Sequence, residues 1–202
     1  MDDYRTLGTA RAARLAAAGV GDGGNHDPLV RLRFSPRTVT LPSIAGRKRA
    51  MPLHDLRHVL TGYPAGTWRG EFAFSAWQVA AGCGRFLTGW AINLGGLAAG
   101  AIALPRTTFA AFVRGLRSRT QYRAYPQGPT PEVLAQPVGL VRTRLRLDRA
   151  VAPATGGDAL RFALWMTIAL PAIVLHLAVA LVLGPPAWLV GRWLRGQEAR
   201  AR

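Results

Sequence analysis

Cysteine is almost absent from this chain of 202 residues, where Cys83 stands alone. A single thiol excludes an intrachain disulfide and every cysteine-rich metal site, and between Gly82 and Gly84 it reads as a small packing residue. Acidic residues are scarce as well, 10 against 26 basic ones, which leaves a net charge of +16. Lysine is scarcer still: Lys48 is the only one, so arginine carries the charge. The arginines are spread along the whole sequence without a zinc-finger, RRM or KH pattern, and a nucleic-acid partner is therefore not expected. With 50% hydrophobic and 18% charged residues the chain is too apolar for disorder, and an anionic lipid surface is the better sink for its arginines. The opening MDDYRTLGTARAARLAAAG lacks the continuous apolar run of a secretory signal, so the main domain is expected on the cytoplasmic side.

What is present divides into three parts. Residues 1–27 read as a flexible segment, a frayed helix followed by GVGDGG at 19–24, which lacks the Lys-Ser/Thr of a phosphate loop. Residues 28–150 read as an all-α domain, and residues 151–202 as a linker, a transmembrane helix and a basic tail. Leu29 to Thr40 alternates like a strand, but Pro36 and Pro42 demote it to an extended approach. Phe86 to Leu104 has nineteen residues without a charge; its glycines and Asn93 favour a buried or interfacial helix over a span, with a homodimer surface as one use of it. Phe109 to Arg123 has the amphipathic pattern of a helix at a charged lipid interface. Tyr125 to Pro137 holds four prolines and reads as a loop. Val141 to Leu147 alternates like a strand.

Phe162 to Val190 contains 29 residues with no Asp, Glu, Lys or Arg, more than the roughly 20 that cross a hydrocarbon layer. Pro185 and Pro186 are expected to end the helix near Gly184, giving one transmembrane helix at about 161–184. His176 lies in its middle, where a bond to a neighbouring helix is the simplest account of an ionisable group.

The chemistry concentrates in HDLRHVLTGYPAGTWRGE, His54 to Glu71. On a helix advancing about 100° per residue, His54, His58 and Asp55 fall near 0°, 40° and 100°, on one arc, while Leu56, Val59 and Leu60 fall opposite. Tyr63-Pro64-Ala65-Gly66 must break that helix. A second helix from near Arg69 or Gly70 would carry Glu71 in its first turn, with Ser75 and Gln78 in phase as a polar floor and Phe72, Phe74 and Trp77 as walls. Two imidazoles and two carboxylates suit a divalent first-row cation, zinc foremost, although the spacing does not select the metal.

The run PLHDLRHVLTGY, then GE and an aromatic-rich helix, resembles the coenzyme Q biosynthesis protein 4 family with its HDxxH motif and downstream glutamate. The likeness continues through AWQVAAGCGRF, PRTTFAAFVRGLRSRTQY and PVGLVRTRLRL, about residues 28 to 147. It implies that His54, Asp55, His58 and Glu71 are metal ligands, that the domain is all-α with a helix at Val141 to Leu147, and that it works at a membrane on polyprenylated hydroxybenzoate intermediates of ubiquinone biosynthesis. The role implied is either organising other enzymes of quinone biosynthesis as a lipid-binding scaffold or oxidative decarboxylation at C1. Twelve residues separate His58 from Glu71, one more than the family's usual spacing. A surface turn at Pro64 to Gly66 absorbs an insertion easily, whereas inside a helix it would swing Glu71 by about 100°. A third reading, an HD-type metal phosphohydrolase, rests on His54-Asp55 with His26 and Asp148 as its only further candidates.

Overall fold

The computed structural model describes residues 3–17, 29–34, 37–42, 54–84, 86–120 and 130–200. The GVGDGG linker and His26 lie outside them. Among the described residues the architecture is helical apart from one hairpin. Its helices are α1 (Leu7–Ala17), α2 (residues 54–61), α3 (Trp68–Ala81), α4 (Leu87–Ala103), α5 (Pro105–Arg117), α6 (Pro131–Leu134), α7 (Val138–Arg144) and α8 (Gly156–Arg200).

The hairpin joins β1 (Leu29–Phe34) and β2 (Arg37–Pro42), antiparallel, in a register running from Leu29 opposite Pro42 to Phe34 opposite Arg37. This corrects the expectation of a merely extended segment. Pro42 is the last residue of its strand, a position where a missing N–H removes no interior ladder bond.

The centre of the fold is α3, which packs on α4 and α5, while α4 in turn packs on α8. Trp77, Phe74 and Phe112 are the largest fully buried side chains. Burial of each is worth about 1.5–3 kcal/mol on transfer grounds. The helices approach closely at glycines, among them Gly96, Gly100 and Gly115. A Cβ at Gly96 of α4 would collide with the Ser75 side chain, and one at Gly115 of α5 with the Trp77 carbonyl. The apolar side of α5, including Ala111, Phe112 and Val113, is buried in this core. The amphipathic pattern therefore records packing on α3 and α4, not an apolar face left for lipid.

The amino-terminal segment, expected to be loose, is docked from Asp3 to Ala17. Leu7 and Leu15 are buried, and the chain before α1 zips onto the approach to α7: Leu7 N–H donates to Gln136 O at 2.8 Å and Val138 N–H to Arg5 O at 2.9 Å. The proline-rich stretch is helical over Pro131–Leu134, with Pro131 at the first helical position, where its missing N–H is harmless. Val138–Arg144 is helix, not strand.

One helix, over Gly156–Val179, is long and apolar enough to cross a membrane. The helix containing it, α8, runs unbroken for 45 residues, about 67 Å. It continues through Pro171, Pro185 and Pro186, so the expected end near Gly184 is not found. Proline deletes a hydrogen bond, yet its fixed φ is itself helical, and the apolar turns on either side carry the helix past the pair. Asp158 anchors the first turn, accepting from Arg117 Nη2 and the Thr155 N–H, both at 2.8 Å.

Candidate metal centre

Helix α2 presents His54 and His58 one turn apart, with Leu56, Val59 and Leu60 buried on its other side. Its last turn is held by arginines from elsewhere in the chain: Arg142 Nη1 donates to Leu60 O and Arg114 Nη1 to Thr61 O, each at 2.8 Å. These bonds satisfy terminal carbonyls that have no partner within the helix and place positive charge at the negative end of its dipole. Part of the arginine excess is thus structural.

The turn from Gly62 to Thr67 brings α3 back alongside α2. Gly62 and Gly66 have φ of 77° and 73°, a left-handed conformation open to glycine at little cost. Thr67 caps α3, accepting from Gly70 N–H at 3.1 Å. Gly70 allows the chain to close on itself, because a Cβ there would overlap the Pro64 carbonyl. Glu71 follows in the first turn of α3 and accepts from Gly66 N–H at 2.7 Å through Oε1. The twelve residues between His58 and Glu71 close through this turn, and the other carboxylate oxygen is left pointing at the imidazoles.

Three donor atoms converge. His54 Nε2 and His58 Nε2 are 3.3 Å apart, and Glu71 Oε2 lies 3.8 Å from the first and 3.5 Å from the second. Donors about 2.0–2.1 Å from a tetrahedral ion stand roughly 3.3–3.4 Å from one another, so the group could hold a metal ion with little adjustment. The tautomer is set too. His58 Nδ1–H donates to Tyr63 O at 2.9 Å, which leaves the Nε2 lone pair facing the other donors. The His58 ring is fully buried and stacks on Phe74, their centroids 4.3 Å apart.

Burial drives the His54 imidazole below its ordinary pKa, which favours the neutral, ligating form. Burial also raises the Glu71 carboxyl, but the His58 contact, the fields of both imidazoles and the Gly66 N–H outweigh it and hold the group at about 2.

Asp55 takes a different position. Its Oδ1 is 3.9 Å from His54 Nδ1, beyond hydrogen-bond length, and its Oδ2 is 3.7 Å from Arg11 Nη2. It faces the far edge of the His54 ring, so it stands behind a donor instead of beside it. The predicted polar floor also disperses, because Ser75 is buried at Gly96 of α4 and the Gln78 amide turns to Gly82 O. Of the expected aromatic walls, Phe74 meets the histidines, stacked on His58 and edge-on to His54. Asp148 accepts from Thr143 Oγ1 on the surface and has no part in the donor group.

Sequence reasoning read α1 as a frayed helix and missed its docking against the site. Arg11 pairs with Asp55, and Arg14 Nη2 reaches Tyr63 O, the carbonyl that fixes His58, at 3.4 Å. The only trace in the sequence is arginine recurring on one side of a short alanine-rich helix. Compared with protein-family models, with curated proteins and with solved structures, the chain matches none.

Proposed function

We propose that this is a membrane-anchored, metal-dependent protein acting on polyprenylated hydroxybenzoate intermediates in the biosynthesis of ubiquinone or a related isoprenoid quinone, at the step where the ring carboxyl at C1 leaves as CO2 and is replaced by hydroxyl, with dioxygen or another two-electron oxidant from outside the chain supplying the oxidation. The observation that carries the reading is the convergence of His54 Nε2, His58 Nε2 and Glu71 Oε2 within 3.8 Å of one another beneath a fixed His58 tautomer. Three protein donors leave a coordination position open, the arrangement of reactive rather than purely structural zinc sites. A bound cation, zinc by its donor set, supplies Lewis acidity toward a substrate carboxylate or phenolate.

The chain's own residues do the remaining work. Phe74 covers the donor group and keeps water from the buried His58 side. Tyr63 O holds the His58 proton on Nδ1. Helix α8 supports a membrane location; the reading places the protein at the cytoplasmic membrane of the bacterial inner-membrane type, with the metal domain facing the cytoplasm and a polyprenyl tail reached from the lipid side. The test is metal content after purification in detergent. Stoichiometric zinc in wild type and none in folded His58→Ala is the expected result, and negligible metal in both removes the chemical basis of the proposal. Normal quinone output from a folded, metal-free variant would replace catalysis with a scaffolding role among other quinone-biosynthesis enzymes.

A further inference from the structure

A cleft of about 220 Å³ opens between α1, the last turn of α2 and the start of α7. Ala10, Val59 and Val138 form its apolar walls, and Arg5, Arg14 and His58 supply its polar lining. No carboxylate lines it. Two acids of the neighbouring helices are engaged elsewhere, Asp55 with Arg11 and Glu71 with Gly66 N–H and the two histidines. A guanidinium carries five N–H donors in a planar fork, and Arg14 is seen to give one long bond, 3.4 Å to Tyr63 O.

The geometry points to a small oxyanion site, in which Arg14 and Arg5 clamp a phosphate or phosphate-ester group against the back of the metal-binding helix. Arg14 and His58 Nδ1 meet at the same carbonyl, Tyr63 O. The cleft is therefore on the Nδ1 edge of His58, opposite the Nε2 that faces Glu71, and the site does not need the metal. At roughly 30 Å³ per water the cleft has room for a phosphoryl or diphosphoryl group. Partial burial pulls the Arg14 guanidinium below its ordinary pKa, with Asp55 and Glu71 offsetting part of that effect. A desolvated cation of this kind gains from an anionic partner more than an exposed one does.

The test is calorimetric titration of the full chain in detergent with inorganic diphosphate, at fixed ionic strength, before and after removal of metal by chelation. Wild type binds in both states, and Arg14→Gln, with an unchanged melting temperature and metal content, binds at least about tenfold more weakly, as expected for loss of a charged hydrogen-bonding group. Arg5→Gln weakens binding in the same direction. Binding that vanishes on chelation but survives Arg14→Gln would assign the anion to the metal and overturn the cleft while leaving the metal centre intact. Equal affinity in wild type and Arg14→Gln before and after chelation overturns it as well. The same titration in phosphatidylcholine vesicles with and without phosphatidic acid separates the two sources of phosphate. Competition by the lipid identifies a headgroup, and its absence identifies a soluble ester.

Discussion

Among the four predicted ligands the decisive contrast is between Glu71 and Asp55. Glu71 Oε2 lies within 3.8 Å of both imidazole Nε2 atoms, whereas Asp55 faces His54 Nδ1 and Arg11. Glu71→Gln should therefore lower zinc affinity by more than about a hundredfold, while Asp55→Asn, acting behind the donor, should lower it by about tenfold or less. Competition with a chromogenic chelator measures both, and equal losses would place Asp55 among the donors. Acid provides a second residue-level test on metal-free protein. The folded-state pKa of Glu71 is depressed to about 2 from 4.5, so in that interval the unfolded chain binds more protons and stability rises with pH. Its contribution is complete above about pH 5 and is lost as pH falls toward 2. His54, depressed from 6.5 by burial, adds a loss of the same sign that begins as pH drops through 6.5. Melting curves of chelated wild type and Glu71→Gln should converge as pH falls from about 5 to about 3; a constant gap would deny Glu71 its electrostatic role.

At the scale of elements, the turn between α2 and α3 decides whether the donors meet. Gly70 tolerates no side chain because the Pro64 carbonyl occupies the Cβ position. Gly70→Ala must push the turn outward, at about 1–3 kcal/mol for an overpacked site, and with it Tyr63 O, the partner of His58 Nδ1. The expected outcome is lower stability together with weaker metal binding. Thr67→Ala should lower stability by about 1 kcal/mol through the lost cap alone. If Gly70→Ala leaves metal affinity untouched, the turn does not set the donor geometry. This turn was legible in the sequence, since the 100° step, Pro64 and the flanking glycines place His54, His58 and Glu71 correctly without coordinates. Asp55 was not, because a helical wheel shows which side a residue faces and not which partner reaches it first. The partner here is Arg11, brought in by α1, whose docking depends on long-range contacts such as Leu7 N–H to Gln136 O. Ser75 and Gln78 were misjudged for a related reason: they are in phase with Glu71, but α4 covers that side of α3.

On the scale of the whole molecule, α8 is more than a detachable anchor. Ala169 is fully buried, Phe162 meets Phe109 and Phe112 edge-on, and Trp165 stacks on Trp90 at 5.3 Å. His176 sits over Gly95 of α4, its Nδ1–H donating to Ala172 O at 2.6 Å. The opposite side of the same helix exposes Leu160, Leu164, Ile168 and Leu175. In a bilayer α4 must therefore share the depth of α8, and α4, about 25 Å long and uncharged, nearly matches a hydrocarbon layer of about 30 Å. Two variants separate packing from lipid contact. A chain ending at residue 155 loses one wall of its core, and it should fail to give a cooperative melt or remain soluble. Leu164→Glu with Ile168→Glu alters only exposed positions, so helicity should persist in detergent. Each introduced charge disfavours the hydrocarbon by about 3 kcal/mol, and the variant should be released from membranes by alkaline carbonate while wild type stays. A soluble, cooperatively folded fragment 1–155 would show instead that α8 is only a tether, with its contacts to α4 and α5 contributing little to the stability of the metal domain.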